Sequence, residues 1–380
     1  MKNSKLNILY FNVFLVFLGI SIVIPVLPTI LKDLDLTGGD LGVLVSVFAL
    51  FQMIGSPFSG RAADKFGKKK IICIGLLLFS ISEFIFAMGG SLSILMLSRI
   101  LGGVSAAFIM PGVNGMIGDL STKATRAKNF SYMSAVINTG FIVGPGIGGF
   151  LAEISHRAPF IFAGALGILA FLSSVFMLEE TNQPEELTEK THLKKAFSYK
   201  PFIVPVIIMF ILSYGISSIE TMFPLYTADK ASYTPKDISI AITGGAIIGV
   251  IFQIGLFERV VHRIGEIKLV FISLVYSIII FGLFSISNSY GWIMVISFVM
   301  FIGFDLIRPA MTNYFSILGG ANQGTAGGLN SAATSVGNLI GPLFAGLVYD
   351  FDIHYPIYIA IAFFLVGSVI LIFHKFAHEA

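Results

Sequence analysis

Five ionisable residues stand inside stretches that are otherwise apolar: Glu83, Arg99, Glu220, Asp305 and Arg308. A carboxylate in such a setting can bind a proton or an organic cation, and it is tolerated only where something offsets its desolvation. Asp305 and Arg308 are three residues apart, hence on one face of a helix, and are expected to pair. Glu220, in "LSYGISSIETMFPLYTADK" (212–230), has no local cation, because Lys230 lies ten residues on. Low dielectric favours the neutral acid. Glu220 is therefore expected to be the more easily protonated of the two, with Asp305 staying charged longer. Glu83 and Arg99 fall in adjacent apolar segments and are read as partners of each other.

The elements that carry these residues follow from composition. The 380-residue chain is 56% hydrophobic and only 12% charged, with mean hydropathy +0.90. Ordinary soluble domains carry roughly 25% charged residues. About 20 apolar residues are needed to cross a bilayer as a helix. Twelve stretches qualify: 6–31, 40–60, 70–89, 92–118, 127–153, 158–178, 201–227, 237–258, 267–286, 290–318, 323–349 and 354–375. The fold class is thus an all-α polytopic membrane protein. The first run is too long for a signal-peptide core and is expected to be a retained span, interrupted near its far end by Pro25 and Pro28.

Twelve spans place both termini on one side. With that side taken as cytoplasmic, 18 Lys and Arg residues fall inside and 4 outside, with Arg99 and Arg308 within spans. The excess of cations on cytoplasmic loops then sets both termini in the cytoplasm.

The chain also repeats itself. "LGISIVIPVLP" (18–28) matches "YGISSIETMFP" (214–224), "TGGDLG" (37–42) matches "TPKDIS" (234–239), "IMPGVN" (109–114) matches "IRPAMT" (307–312), and "TGFIVGPGIGG" (139–149) matches "VGNLIGPLFAG" (336–346). The offsets are 196, 197, 198 and 197. Two six-helix bundles are expected, 1–178 and 201–380, joined by a polar cytoplasmic linker at 179–200. Parallel repeats of this kind build major facilitator transporters, with the substrate site expected at the interface of the halves near the bilayer midplane. In the repeat, Glu220 takes the place of Ile24.

Two motifs stand out. "GRAADKFGKKK" (60–70) offers Gly60, Asp64 and Gly67 for a tight cytoplasmic turn, with Asp64 set to meet cations such as Lys68 or a helix N-terminus. Asp119, at the cytoplasmic end of the fourth span, is expected beside that loop as part of a gate. In "GFIVGPGIGGF" (140–150), Gly140, Gly144, Gly148 and Gly149 give a smooth face for close helix approach, and Pro145 bends the span. The 60–70 stretch resembles the signature loop of the major facilitator superfamily, and the 140–150 stretch resembles the fifth-helix antiporter motif of its drug exporters. "LMLSRILGGVSAAF" resembles the family's fourth-helix motif, with Arg99 at its arginine and Gly102 where that motif has Gln. Over nearly its whole length the chain resembles the NorA-type quinolone and multidrug efflux proteins, which are drug/proton antiporters. "GISIVIPVLP", "ETMFPLYTADK", "FIGFDLIRPA" and "GLNSAATSVGNLIGPL" carry that resemblance.

The resemblance implies that Glu220 and Asp305 couple transport to protons and bind cationic drugs. It also implies a substrate site drawn from Arg99, Arg308, Phe17, Gln52, Asn138, Phe141, Phe301 and Asn338, with Tyr226 and Phe304 as further aromatic candidates that stack on planar cations. The expected partners are small-molecule drugs, protons and membrane lipid, with the chain acting as a monomer and binding no nucleic acid. No cofactor or metal is expected. Cys73 is the lone cysteine, and the six histidines (156, 192, 262, 354, 374, 378) are scattered. No phosphate-binding G-x-x-x-x-G-K-[ST] stretch and no G-x-S-x-G nucleophile turn occurs, which argues against ATP as energy source and against an intramembrane enzyme. A carrier for a sugar or other metabolite is the alternative; such sites are built from polar side chains.

Overall fold

The structure is a computed structural model that describes residues 2–122, 125–181, 200–319 and 323–379. Most of the expected linker (182–199), together with Lys123, lies outside the described residues. Every regular element among the described residues is helical. In the first half these are α1 (Lys2–Ile22), a 3₁₀ turn (Ile24–Val26), α2 (Leu27–Asp33), α3 (Gly38–Phe66), α4 (Lys68–Met88), α5 (Leu92–Leu120), α6 (Arg126–Ile154) and α7 (Ala158–Met177). The other half has α8 (Lys200–Ala231), α9 (Pro235–Ile264), α10 (Glu266–Ile286), α11 (Tyr290–Met300), α12 (Ile302–Gly319), α13 (Gln323–Tyr349) and α14 (Tyr355–Glu379). Twelve helical stretches are long and apolar enough to cross a membrane, with α1–α2 and α11–α12 each forming one of them.

The chain divides into two compact units. One is Met1–Leu36, Val47–Thr188 and Thr234–Ile240; the other is Thr37–Ser46, Glu189–Tyr233 and Ala241–Ala380. The same helix pairings recur in each. In the first unit α1 packs on α6 and α7, and α4 packs on α5 and α7. In the second, α8 packs on α13 and α14, and α10 packs on α12 and α14. The first unit's core runs along Leu9, Val13 and Val16 of α1, Ile72, Leu76 and Phe79 of α4, and Ile109, Val113 and Met116 of α5. Because lipid is as apolar as leucine, such helices associate by fitting surfaces and small residues rather than by escape from water.

Two local features depart from the sequence reading. Gly60 is not in a turn: α3 runs on through Arg61-Ala62-Ala63-Asp64-Lys65-Phe66, a run with no helix breaker, and Gly67 alone reverses the chain at φ 101°. Its counterpart in the other repeat is Gly265, at φ 77°, and each of the two glycines immediately precedes a helix, α4 or α10. The tenth span is interrupted at Phe301, which keeps helical dihedrals (φ −74°, ψ −16°), so α11 and α12 form one rod. Near Pro25 and Pro28 the first span tightens into the 3₁₀ turn, whereas α8, with Pro224 alone in the matching stretch, stays α-helical throughout.

Candidate functional site

The acidic residues of the second unit lie on α8 and α12. Glu220 and Asp305 share one local context, since each stands four residues before a proline, Pro224 and Pro309. A proline inside a helix removes the hydrogen bond to the carbonyl four residues back, which here belongs to the acid itself. The pairing of side chains is not the one their spacing suggests. Arg308 Nη2 donates to Glu220 Oε1 at 2.9 Å and to Oε2 at 3.1 Å. Asp305 forms no ion pair among the described residues. Its carboxylate lies over α9 instead, where a Cβ built on Gly249 would fall 1.8 Å from Asp305 Oδ2.

Two expectations are corrected by this geometry. Glu220 has a cation after all, supplied across the helix–helix contact rather than along its own helix. Asp305, expected to hold Arg308, is the acid that forms no ion pair among the described residues. The glycines Gly245 and Gly249, four apart on α9, carried the missed signal, because they open the face on which Asp305 rests. Glu220 and Arg308 are 42% and 52% exposed at their side chains. An exposed ion pair at membrane depth is costly unless water reaches it, because lipid cannot solvate it.

The second unit also assembles an aromatic cluster from α8, α10 and α12. Phe301 packs edge-on to Phe223 and Phe304 at centroid separations of 5.6 and 6.0 Å. Tyr226 is buried, 4.9 Å from Phe284, and is therefore packing rather than lining. Asn338 is exposed on α13.

In the first unit Arg99 Nη2 lies 3.1 Å from Glu83 Oε1, as expected, with Glu83 only 3% exposed. The guanidinium sits 4.5 Å from the Phe86 ring and 5.9 Å from the Phe48 ring, so it is held by cation–π contact as well as by charge. Gly103 explains the glycine-rich stretch after it: a Cβ there would fall 2.4 Å from the Phe48 carbonyl. Arg99 is thus committed to Glu83 and two rings. Phe17 and Phe141 face each other at 5.4 Å, Gln52 is half-buried, and Asn138 is exposed.

The gate residues divide. Lys68 Nζ pairs with Asp119 Oδ2 at 2.5 Å, and Thr181 Oγ1 donates to the same oxygen at 2.6 Å. Asp64 is exposed and has no hydrogen bond or ion pair among the described residues. The carboxylate at the α4 N-terminus is Glu180, which accepts from the Lys68 backbone N–H at 2.8 Å and from the Lys69 N–H at 3.2 Å. Such a group satisfies orphan donors and meets the positive end of the helix dipole. Gly67 is required twice over, for its φ and because a Cβ would fall 2.3 Å from Glu180 Oε2. The available signal for Glu180 was a pair of acids directly after the sixth span, opposite the cationic run 68–70.

The glycine motif lies on α6 against α1. Cβ atoms at Gly140, Gly144 and Gly148 would fall 2.9 Å from Leu18 N, 1.9 Å from Ser21 Oγ and 1.9 Å from Ile22 O. Ser21 Oγ donates to the Gly140 carbonyl at 2.9 Å. Gly149 and Pro145 meet Ser239, whose hydroxyl donates to the Pro145 carbonyl. The repeat partner behaves alike, with Gly337 and Gly341 of α13 against Ser213 and Tyr214 of α8.

The Major Facilitator Superfamily profile matches residues 9–322 and 259–379. The chain belongs to that superfamily. Among curated proteins, it is 57% identical to the quinolone resistance protein NorA of Staphylococcus aureus, over 98% of this chain and 97% of that one. It is 47% identical to multidrug resistance protein 1 of Bacillus subtilis, again over 98% and 97%. Among solved structures, a bacterial homologue of the human lysosomal transporter Spinster superposes with a TM-score of 0.78 at 15% identity, covering 97% of this chain and 96% of that one. The nucleoside transporter NupG superposes with a TM-score of 0.78 at 16% identity, covering 97% and 98%. At those identities the likeness is one of fold. This member of the superfamily is a multi-pass membrane protein.

Proposed function

We propose that this facilitator is a proton-coupled exporter of hydrophobic, often cationic drugs, taking them from the cytoplasm or inner leaflet by alternating access. The names of its close relatives, a quinolone resistance protein and a multidrug resistance protein, support the substrate class. The cation excess on alternate loops supports a cell-membrane orientation with both termini and the 179–200 linker in the cytoplasm. The chain acts as a monomer of two six-helix bundles.

The observation that carries the coupling is one arginine within reach of two acids. Arg308 sits one turn from Asp305 on α12 and is bonded to Glu220 on α8. With Asp305 ionised, Arg308 is drawn to it, and Glu220 is released to hold a drug cation. With Asp305 protonated, Arg308 returns to Glu220 and displaces the drug. The proton and the drug thus compete through a shared counter-ion, and the two ligands acquire the differential affinity that antiport requires. Phe301, half-buried four residues before Asp305, offers a ring face to a planar cation, whereas Phe304 is buried against Phe281 and Phe301 and serves packing.

Dye binding to the purified protein across pH, with dye efflux from proteoliposomes under an imposed pH gradient, tests this. Asp305→Asn holds Arg308 on Glu220, so dye affinity should fall and lose its pH dependence. Glu220→Gln should abolish binding of cationic dyes and spare neutral ones. If Asp305→Asn keeps the parent's pH-dependent dye affinity, the arginine exchange is wrong.

A further inference from the structure

At the end of α8 opposite to Lys200, another group of side chains stands apart from the acids. Tyr226 OH lies 3.0 Å from His354 Nδ1, and Lys230 Nζ donates to the same phenol oxygen at 2.8 Å. Lys230 Nζ also donates to the Ser285 carbonyl at the end of α10. His354 immediately precedes α14, and its ring stacks on Tyr358 at 5.9 Å. α8 is therefore tied to the start of α14 through the buried Tyr226 hydroxyl and to α10 through Lys230.

One arrangement uses the phenol hydrogen within the group. A phenol has a single hydrogen, and an ammonium can only donate. With Lys230 donating to the oxygen, the phenol hydrogen is free to go to His354, a bond for which a neutral ring protonated at Nε2 supplies the Nδ1 lone pair. A proton on Nδ1 would turn it into a donor. The phenol hydrogen would then have to leave for another acceptor, and two cations would face one oxygen.

We infer that His354, with Tyr226 and Lys230, is a proton-binding site distinct from Glu220 and Asp305, and that occupying it unties α8 from α14.

The other charged and titratable groups around it fit a neutral ring. Asp352 Oδ1 takes the His354 backbone N–H at 2.8 Å, Asp350 takes Gly39 N–H at 3.0 Å, and Asp229 is bonded by Tyr349 OH at 2.7 Å. Burial first, then the Lys230 ammonium, push the imidazole below the usual histidine range, against a smaller opposite pull from Asp352. The N-terminus of α14 adds a positive dipole end beside the ring. By the topology proposed above, on which the direction of sensing rests, this end faces outward. The proton sensed is then the external one, and the helix untied is the one that carries Glu220.

Because the folded protein holds His354 neutral, the unfolded chain binds the extra proton. The network's stabilisation is then complete above pH about 6.5 and is lost as pH falls from there through the lower folded value. Melting of the purified protein between pH 7.5 and 5 reads this directly. His354→Gln keeps a carbonyl acceptor for the Tyr226 hydroxyl and cannot take a proton, so its melting temperature should fall less on acidification than the parent's. Tyr226→Phe, which keeps the ring, should likewise lose the difference. In proteoliposomes, dye export measured against external pH should show a component that His354→Gln lacks, with export at pH 7.5 unchanged. Parallel melting profiles for parent and His354→Gln would overturn the site. A changed melting profile with an unchanged response to external pH would overturn its outward sensing. The melting difference should persist in Glu220→Gln, so failure of the proposed transport cycle leaves a separate result.

Discussion

Arg308 reaches across from α12 to touch both carboxylate oxygens of Glu220, at 2.9 and 3.1 Å, while Asp305, one turn away on its own helix, forms no ion pair among the described residues. Intrahelical spacing permitted the other choice. The interhelical contact won because it lets one nitrogen reach two oxygens, while Asp305 is turned towards the gap that Gly249 leaves open.

The Glu220–Arg308 pair is expected to contribute to transport far more than to stability. With both side chains roughly half exposed, a pair of this kind contributes about 0.2–1 kcal/mol. Glu220→Gln should therefore shift unfolding by no more than that, while gradient-driven efflux of cationic dyes falls by at least tenfold, about 1.4 kcal/mol in the barrier. A double-mutant cycle of Glu220→Gln and Arg308→Gln on melting measures the pair. Coupling well above about 1 kcal/mol would mean that it is chiefly structural.

At the α4 N-terminus the decisive carboxylate is Glu180. Removing a cap of this type costs about 0.5–2 kcal/mol, whereas an exposed residue without partners changes stability by about 0.5 kcal/mol or less. Glu180→Ala should lower the melting temperature, and Asp64→Ala should leave it nearly unchanged. The reverse order would return Asp64 to the place that its motif suggests. If Asp64 gates transport, as the signature loop implies, Asp64→Asn should slow turnover with dye affinity intact.

Much of this was readable in advance, for identifiable reasons. Twelve apolar runs announce their spans because a bilayer demands that length, and five charges inside them are conspicuous by rarity. The offset of 197 between Gly144-Pro145 and Gly341-Pro342 exposes the repeat, and the same close approach appears in each unit. What escaped was partner choice across space. Glu220 and Arg308 are 88 residues apart, and Glu180 and Lys68 are 112 apart. Sequence spacing favours a neighbour on the same helix over any of these. Gly60 was misplaced for a related reason: a glycine suggests a turn, but six helix-compatible residues after it carry α3 to Gly67.

Gly148 tests the α1–α6 contact. An added methyl would fall 1.9 Å from Ile22 O, which is backbone and cannot rotate aside. Gly148→Ala should therefore push the helices apart and cost about 1–3 kcal/mol, seen as lower melting temperature and folded yield. Gly327→Ala, with nothing within 4 Å of the new methyl, is the control and should not destabilise.

Gly249 tests whether the position of Asp305 matters to coupling independently of its charge. A methyl there would lie 1.8 Å from Asp305 Oδ2, the far end of a side chain that can swing away. The backbone need not move, and replacing a mid-helix glycine by alanine gains roughly 0.8–1 kcal/mol, which offsets the displacement. Gly249→Ala should therefore melt within about 0.5 kcal/mol of the parent and still lose most gradient-driven efflux, approaching Asp305→Asn. Gly255→Ala, on the same helix with open space around it, should keep full efflux. The comparison separates geometry from charge, because Gly249→Ala leaves every titratable group in place. Parent-like efflux and parent-like pH dependence of dye binding in Gly249→Ala would show that the seat of Asp305 on α9 has no part in proton coupling.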